Sequence, residues 1–283
     1  MDWSKAKNIL LVLFITLNCI LLYNNYISFS GGGSILSDEM SSNTLAVLAS
    51  RGVSLNCEIP SSTKAATVIY GPYFEDRQKI TDILLGPKSR GIIDDGEVII
   101  EGTKQLKFDN NYFDFKDESP GKGNKIEGIE QARLFLEDVL EEMEVPYKDF
   151  GLEGQKELKD SIYEFEYNQV YEDYIFYDNY IKAQIGPTGI ISLEFKYRNV
   201  RDVKTNPKQK TIDAYQVLLK MTDVKNVNID DIDVGYGSYT DNGISLTDLL
   251  SWRVRLNDGS EKFYSAFTGQ KLSPIRYINE VDK

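Results

Sequence analysis

IEGIEQARLFLEDVLEEM (126–143) is followed by SIYEFEYNQ (161–169), YIFYDNYIKAQI (174–185) and IISLEFKYR (190–198), and this succession indicates the fold class. Apolar residues recur in the first segment at intervals of three and four, which predicts an amphipathic helix. Apolar and polar residues alternate in the other three, which predicts strands with one buried face. GPTG at 186–189 supplies a turn. We therefore expect a helix packed on an antiparallel sheet.

A second copy of this unit follows in the sequence. KTIDAYQVLLKM (210–221) has helical spacing, and strand-like segments occupy much of 228–272. Ala132 and Ala214 each begin an A-x3-L pattern at the same place in the two helices. The pattern predicts a tandem helix-plus-sheet repeat, because a lone sheet needs a helix to cover one of its faces. The glycines in GYG at 235–237 predict an interruption or bulge in a strand.

The segment before the repeat also mixes helix and strand signals. SDEMSSNTLAVLASRGV (37–53) predicts a helix, with Gly52 just after its end. VSLNCEIP (53–60) alternates as a strand does. EVIIEGTKQLKFDNNYFDFKD (97–117) contains three alternating runs separated by turn residues, which predicts an antiparallel meander. We therefore expect an N-terminal α+β domain, and the Gly- and Lys-rich stretch after it reads as a linker.

These patterns divide the whole chain into predicted segments. They are a cytoplasmic N-terminus (1–7), a transmembrane helix (8–29), a linker (30–37), an N-terminal extracellular α+β domain (38–118), a linker (119–125), repeat 1 (126–200) and repeat 2 (201–283).

The chain begins with MDWSKAKNILLVLFITLNCILLYNN, and no charged residue occurs from 8 to 37. A helix over 6–26 has about the 20 residues that a bilayer requires. The lysines before the run predict a cytoplasmic N-terminus and an extracellular remainder, and the aromatic residues at its ends are typical of the lipid–water boundary. The predicted interface anchors are Trp3, Lys5, Lys7, Tyr23 and Tyr26.

A cleavable signal peptide is the alternative interpretation of this run. Its strongly apolar part, 9–22, is short, and Ser28-Phe29-Ser30 is a triplet of the small-x-small type found at cleavage sites. The aromatic boundary residues favour a retained anchor.

One face of the predicted helix is a candidate contact with a partner helix. Leu11, Phe14, Asn18 and Leu22 share that face at helical spacing. An amide inside a spanning helix usually faces another helix, because hydrocarbon offers it no partner. The alternative is that Asn18 tolerates lipid near the edge of the bilayer.

Histidine is absent from all 283 residues, which removes Ser-His-Asp and Cys-His catalysis and histidine-ligated zinc. The net charge of −12 disfavours binding to nucleic acid. Cys57 lies in a strand-like stretch and is expected to be a small core residue. From the composition we expect no nucleic-acid partner.

Two groups of carboxylates are candidate chemical sites. The acids on the polar side of the 126–143 helix are typical of a solvated face, and those at 230–233 lack the spacing of a calcium loop. We therefore predict no catalytic residue, no metal ligand and no cofactor. The residues concerned are Glu137, Asp138, Glu141, Glu142 and Glu144, and Asp230, Asp231 and Asp233.

The opening MDWSKAK joined to an apolar helix, the RGVSLNCEIP segment and the tandem helix-plus-sheet unit together resemble the YycI regulators of Gram-positive bacteria. The resemblance covers nearly the full chain, and its ectodomain pattern is shared with YycH and with PepSY-like modules. It implies a one-pass, non-catalytic membrane protein that regulates the sensor histidine kinase WalK and so influences cell-wall metabolism. It further implies that the transmembrane helix associates with the helices of the kinase and of a YycH-like protein.

Two other functions are compatible with the sequence. The chain is an anchored extracellular binding module for a peptide or a cell-wall fragment, like PepSY-type inhibitors, or it is a surface carbohydrate hydrolase. The hydrolase needs two carboxylates in a deep cleft.

Overall fold

The computed structural model of the protein describes residues 38–60, 63–73, 75–87, 96–120, 125–222, 224–241 and 244–275, together with Lys7, Phe14 and Asn18. Within these residues the protein is a mixed α+β structure dominated by sheet, as predicted. The helices outside the N-terminal region are α1 Asp38–Ser50, α2 Arg77–Leu85, α3 Ile129–Glu142 and α4 Ala214–Lys220.

The strands account for most of the ordered secondary structure. They are β1 Ser54–Leu55, β2 Ala66–Tyr70, β3 Val98–Glu101, β4 Lys104–Asp109, β5 Tyr112–Asp117, β6 Phe150–Glu157, β7 Tyr163–Tyr171, β8 Tyr174–Gly186, β9 Gly189–Lys196, β10 Val200–Thr205, β11 Asn228–Asp241, β12 Ile244–Leu256, β13 Glu261–Ser265 and β14 Lys271–Pro274.

The chain forms two compact units, and each is assembled from separate stretches of sequence. Among the described residues, the first unit takes those up to Ala65, Thr205–Asp233 and Trp252–Lys271; the second takes Ala66–Lys204, Val234–Ser251 and those from Leu272 onward. Long-range strand pairing brings the separate stretches of each unit together. The segments predicted at 38–118, 126–200 and 201–283 stay predictions.

The second unit is built on a sheet in the order β14–β11–β8–β9–β5–β4–β3, with β7 also paired to β8 and β6 paired to β7. The predicted meander is confirmed, because β3, β4 and β5 are consecutive antiparallel neighbours. Strand β5 also pairs with β9, which places Phe113 opposite Phe195. The linker predicted at 119–125 therefore falls between two strands of one sheet.

Helices α2 and α3 supply apolar side chains to the core of this sheet. Ile80 on α2 and Leu136 on α3 belong to one buried cluster with Leu106, Phe113 and Phe195, all 0% exposed. Burying a side chain of this size stabilises the fold by roughly 1.5–3 kcal/mol. The predicted helix on a sheet is thus confirmed for residues 129–196.

The first unit contains helices α1 and α4, which pack against each other. The predicted end of the first helix is confirmed: Gly52 has φ +74° and donates to the Ala49 carbonyl at 3.0 Å, and the Val53 amide donates to the Leu48 carbonyl at 3.0 Å. This pair of bonds is a Schellman motif. Leu48 and Val53 are both buried, which completes the motif with an apolar contact.

The prediction of purely antiparallel sheets is wrong at two places, where β11 pairs in parallel with β1 and with β8. The chain between β8 and β11 contains a helix, and such a crossover returns a strand in the same direction. Strand β11 runs without interruption through the GYG segment. A Cβ on Gly235 would lie 2.1 Å from the Ile175 carbonyl oxygen, so the glycine permits a close approach of two backbones.

The order of elements repeats along the chain. Helix α3 is followed by β6–β9 and helix α4 by β11–β14, so a helix precedes four strands twice. The PepSY-like character of this repeat stays a prediction.

Candidate functional site

The predicted partner-helix face comprises Leu11, Phe14, Asn18 and Leu22, of which Leu11 and Leu22 lie outside the described residues. Phe14 and Asn18 are helical and exposed. The Asn18 Nδ2 donates a hydrogen bond to the Phe14 carbonyl oxygen, one turn earlier, at 2.9 Å. This bond gives the amide a partner within its own helix, which lowers the cost of placing Asn18 in an apolar setting.

Lys7 is the one predicted interface anchor among the described residues, and it is helical and exposed. Trp3, Lys5, Tyr23 and Tyr26 lie outside the described residues. In the portion of the chain that the structure describes, no helix is both long enough and apolar enough to span a bilayer.

Several acids of α3 take part in surface ion pairs. Glu137 accepts from Arg133 at 2.7 Å and Glu141 accepts from Lys148 at 3.0 Å. Ion pairs of this kind on exposed side chains contribute little to stability, about 0–1 kcal/mol each. The arrangement agrees with the interpretation of this side as a solvated face.

The acidic run at 230–233 is held by two arginines of β12 within the first unit. The Arg253 Nη2 lies 2.7 Å from Asp233 Oδ2, and the Arg253 side chain is only 4% exposed. Arg255 pairs with Asp231 and lies 3.4 Å from Asp233. Over the described residues, no group of three or more acidic or cysteine side chains is arranged to hold a metal ion. The carboxylates of Asp231 and Asp233 are instead paired with guanidinium groups.

Cys57 is a free, half-buried thiol. Burial raises its pKa, and the charges of Asp231 and Asp230 raise it further. The Asn56 Nδ2 donates to Asp230 Oδ1 at 2.7 Å, which keeps that carboxylate close by. A thiolate is the reactive form of cysteine, so this environment makes Cys57 a poor nucleophile.

A polar cluster in the second unit was not apparent from the sequence. The Arg198 Nη2 lies 2.7 Å from Asp248 Oδ1 and 3.9 Å from Asp178 Oδ2, and its guanidinium carbon lies 4.5 Å from the centre of the Tyr70 ring. Tyr70 donates its hydroxyl to Asp248 at 2.6 Å, and Ser238 donates to Asp178 at 2.6 Å. Arg198 therefore joins β2, β8 and β12, and Ser238 connects β11 to the cluster through Asp178.

The role of this cluster is structural. Burial raises the pKa of Tyr70, and its hydrogen bond to Asp248 raises it further, so the phenol stays protonated at neutral pH. Asp248 has φ +51°, a left-handed conformation that non-glycine residues adopt when their surroundings hold them there. The four strands come from distant parts of the sequence, and no local spacing brings their polar residues together. Only the structure reveals the cluster.

Together these observations define a sheet-dominated α+β protein whose conspicuous charges are engaged with one another. The YycI protein family matches residues 33–267, which is most of the chain. The chain therefore belongs to the YycI family. This membership supports, in general terms, a regulatory role in the WalK pathway.

Several solved structures are similar to the chain, including the following two. One is an uncharacterized protein from Eubacterium rectale ATCC 33656, with 12% identity, a TM-score of 0.48, and coverage of 83% of this chain and 99% of that one. The other is YycH from Bacillus subtilis, with 14% identity, a TM-score of 0.43, and coverage of 77% of this chain and 54% of that one. No curated protein sequence matches the chain. The family match, rather than these distant structures, identifies the chain.

Proposed function

We propose that this protein is a non-catalytic, single-pass membrane regulator of a WalK-type sensor histidine kinase, through which it influences cell-wall metabolism. The observation that carries the proposal is the family match over residues 33–267. In this proposal the N-terminus is cytoplasmic, residues 8–29 cross the bilayer, and the larger part of the chain is extracellular. The uncharged run from 8 to 37 and the lysines before it support this topology.

The proposed contact with the kinase and with a YycH-like protein is the face of Leu11, Phe14, Asn18 and Leu22. Helices in lipid associate by packing and by hydrogen bonds, because lipid tails are as apolar as leucine side chains. The Asn18 amide donates one hydrogen bond to the Phe14 carbonyl oxygen. Its second N–H and its oxygen can therefore bond to a neighbouring helix. Asn18 would then define the register of the contact.

The thiol and the carboxylates that could act in catalysis are held in unreactive surroundings, which supports a non-catalytic role. Burial and two carboxylates raise the pKa of the Cys57 thiol. The acids at 231 and 233 are paired with arginines, and the chain has no histidine. A regulator requires none of these groups to react.

Co-purification tests the proposal. The full-length chain and the kinase are expressed together and captured from detergent extracts through a tag on the kinase. We expect capture of the wild-type chain and loss of capture when residues 8–29 are replaced by an unrelated spanning helix. Retained capture after this replacement contradicts a contact through the helix.

A matched pair of variants locates the contact. Leu11→Ala removes a side chain from the proposed face, whereas Leu13→Ala makes the same chemical change about 200° around the helix. We expect Leu11→Ala to weaken capture and Leu13→Ala to leave it unchanged. The intact mass of the protein extracted from membranes shows in the same preparation whether the anchor is retained or cleaved after Ser30.

A further inference from the structure

Strand β3 lies at one end of the sheet in the second unit. It pairs with β4 on one side, and no described strand pairs with it on the other. A strand in this position presents a row of backbone N–H and C=O groups to any extended chain that approaches it. The free side of β3 is therefore a candidate site for a partner that adds a strand to the sheet.

The turn between β3 and β4 determines which residues face this free side. The two strands are joined by a two-residue loop whose first residue, Gly102, has φ +64°, as in a type II′ turn. Glu101 closes the loop and forms a hydrogen-bonded pair with β4, and bonded and non-bonded pairs then alternate along the strands. The backbone N–H and C=O groups of Val98 and Ile100 consequently point to the free side.

The side chains of the same two residues are exposed. Ile100 is 69% exposed, more than any other large apolar side chain among the described residues, and Val98 is 43% exposed. Ile99 between them belongs to the buried core, because side chains alternate between the two faces of a strand. A strand added to β3 would therefore cover apolar surface as well as pair with the backbone.

Strand β6, which pairs only with β7, shows how an edge of the same unit is protected. Its register shifts between Leu152 and Gly154, which marks a bulge, and Lys156 follows on the same strand. Bulges and lysines are the usual means by which edge strands prevent pairing with another chain. Strand β3 has a regular register with β4 and contains neither lysine nor proline. Its edge is thus open to a partner.

Charge indicates what kind of partner fits this edge. Residues 91–103 include four acidic residues and no basic one. Two copies of β3 paired antiparallel about Ile99 would place Glu97 of each copy opposite Glu101 of the other, and like charges directly opposite each other are destabilising. A segment with basic residues at those two positions would form favourable cross-strand pairs instead.

We propose that the free side of β3 binds, in antiparallel orientation, an extended segment of another protein in which basic residues flank three apolar ones. The backbone of the segment bonds to Val98 and Ile100, its apolar side chains cover theirs, and its basic residues lie opposite Glu97 and Glu101. This site goes beyond the proposed function and is independent of the contact through residues 8–29. Capture by the kinase and binding at β3 can therefore fail separately.

Binding of a labelled peptide tests the proposal. The probe is Lys-Val-Val-Val-Lys, and its fluorescence anisotropy is followed as full-length protein is added in nanodiscs of neutral lipid, with empty nanodiscs as the blank. We expect Glu-Val-Val-Val-Glu to bind at least tenfold more weakly, because its acids would lie opposite Glu97 and Glu101. Equal binding of the two peptides, or no binding of the lysine peptide, overturns the proposal.

N-methylated peptides test the backbone pairing. Methyl groups on the nitrogens of the second and fourth residues remove the donors that face Val98 and Ile100. Methyl groups on the third and fifth residues remove donors that face away, which makes this peptide the matched control. We expect at least a tenfold loss of binding only for the first peptide. An equal loss for both contradicts the addition of a strand to β3.

Matched variants of the protein locate the site. Ile100→Lys puts on β3 the kind of charge that protects natural edges, and it opposes the lysines of the probe. Leu152→Lys makes a similar change on β6, where Leu152 is 44% exposed. We expect at least a tenfold loss of binding for Ile100→Lys and none for Leu152→Lys. Equal losses would show that the probe responds to the overall charge of the protein, which contradicts the assignment.

Amide hydrogen exchange identifies the occupant of the edge. In the full-length protein alone we expect fast exchange at Val98 and Ile100, and protection when the lysine peptide is added. Protection without peptide that decreases on dilution would show that a second copy covers β3. Protection that is independent of concentration would show that another segment of this chain, such as 88–95, covers it. Either result overturns the proposal.

Discussion

Replacing Arg253 with methionine should destabilise the first unit more than any surface ion pair would. Arg253 makes hydrogen bonds to both oxygens of Asp233, at 3.0 and 3.1 Å from Nε and 2.7 Å from Nη2, and one to Glu261 at 3.2 Å. Methionine retains the apolar stem and removes the charge and the donors. Arg255, two residues along the same strand, is the more exposed control; it pairs with Asp231 and lies at the longer distance of 3.4 Å from Asp233.

The expected magnitude follows from the exposure of these side chains. Removing one partner of a buried ion pair costs about 3–5 kcal/mol. Asp233 is 16% exposed and Glu261 39% exposed, so water reaches the carboxylates and the lower end, about 3 kcal/mol, applies to Arg253→Met. Arg255 is 28% and Asp231 42% exposed, so Arg255→Met should cost at most about 1 kcal/mol.

Urea denaturation followed by the fluorescence of Trp252 measures both effects. Trp252 is 0% exposed and donates to the Ile212 carbonyl at 2.9 Å, so its emission reports on the first unit. The chain has two tryptophans, and a Trp3→Phe background isolates the signal. With a urea slope of about 2 kcal/mol/M, Arg253→Met should lower the midpoint by about 1.5 M. An equal or smaller shift than that of Arg255→Met refutes the reasoning.

Three further predictions concern stability and ion binding. Gly235→Ala should lower the free energy of unfolding, measured by urea denaturation, by about 2–3 kcal/mol, because its Cβ would lie 2.1 Å from the Ile175 oxygen. Gly154 has open space around it, so Gly154→Ala should change the free energy of unfolding by no more than about 0.5 kcal/mol. Similar costs for both variants would contradict a close backbone approach at Gly235. Burial raises the pKa of Glu194, so the stability of the fold falls as the pH rises from the pKa of the unfolded state to that of the folded state. Glu194→Gln should therefore raise the melting temperature at pH 7. The gain should vanish below about pH 4, where the carboxyl group is protonated in both states. A gain that persists at pH 3 rules out this cause. Millimolar calcium should leave the melting temperature unchanged, because arginines pair with the acids at 231 and 233; a calcium-induced rise would show that the ion displaces them.

The sequence predicted those parts of the fold that depend on near neighbours. The helix end at Gly52 and the β3–β5 meander arise from local turn chemistry and alternation, and both are confirmed. The division into two units was not predicted, because it depends on β5 pairing with β9 and on β11 returning to β8. These contacts join residues far apart in sequence, and neither periodicity nor spacing encodes them directly.

The sites follow the same rule: local patterns could be recognised in the sequence, and contacts between distant residues could not. The solvated face of α3 could be recognised from the helical spacing of its acids. The Arg198 cluster could not, because Tyr70, Asp178 and Asp248 come from three distant strands. Alternation places Lys104 and Asp117 on the core face of β4 and β5, but the two helices that pack on this face follow from tertiary packing. The partner-helix face stays a prediction.

If the protein regulates the kinase through its transmembrane helix, it should change the rate of kinase autophosphorylation in vesicles. The WalK-type kinase is reconstituted alone, with the full-length wild-type chain, or with the chain whose residues 8–29 are replaced by an unrelated spanning helix. We expect the wild-type chain to change the rate and the replaced chain to leave it at the level of the kinase alone. Regulation through the helix is refuted if the replaced chain changes the rate as much as the wild type, or if the wild-type chain leaves it unchanged.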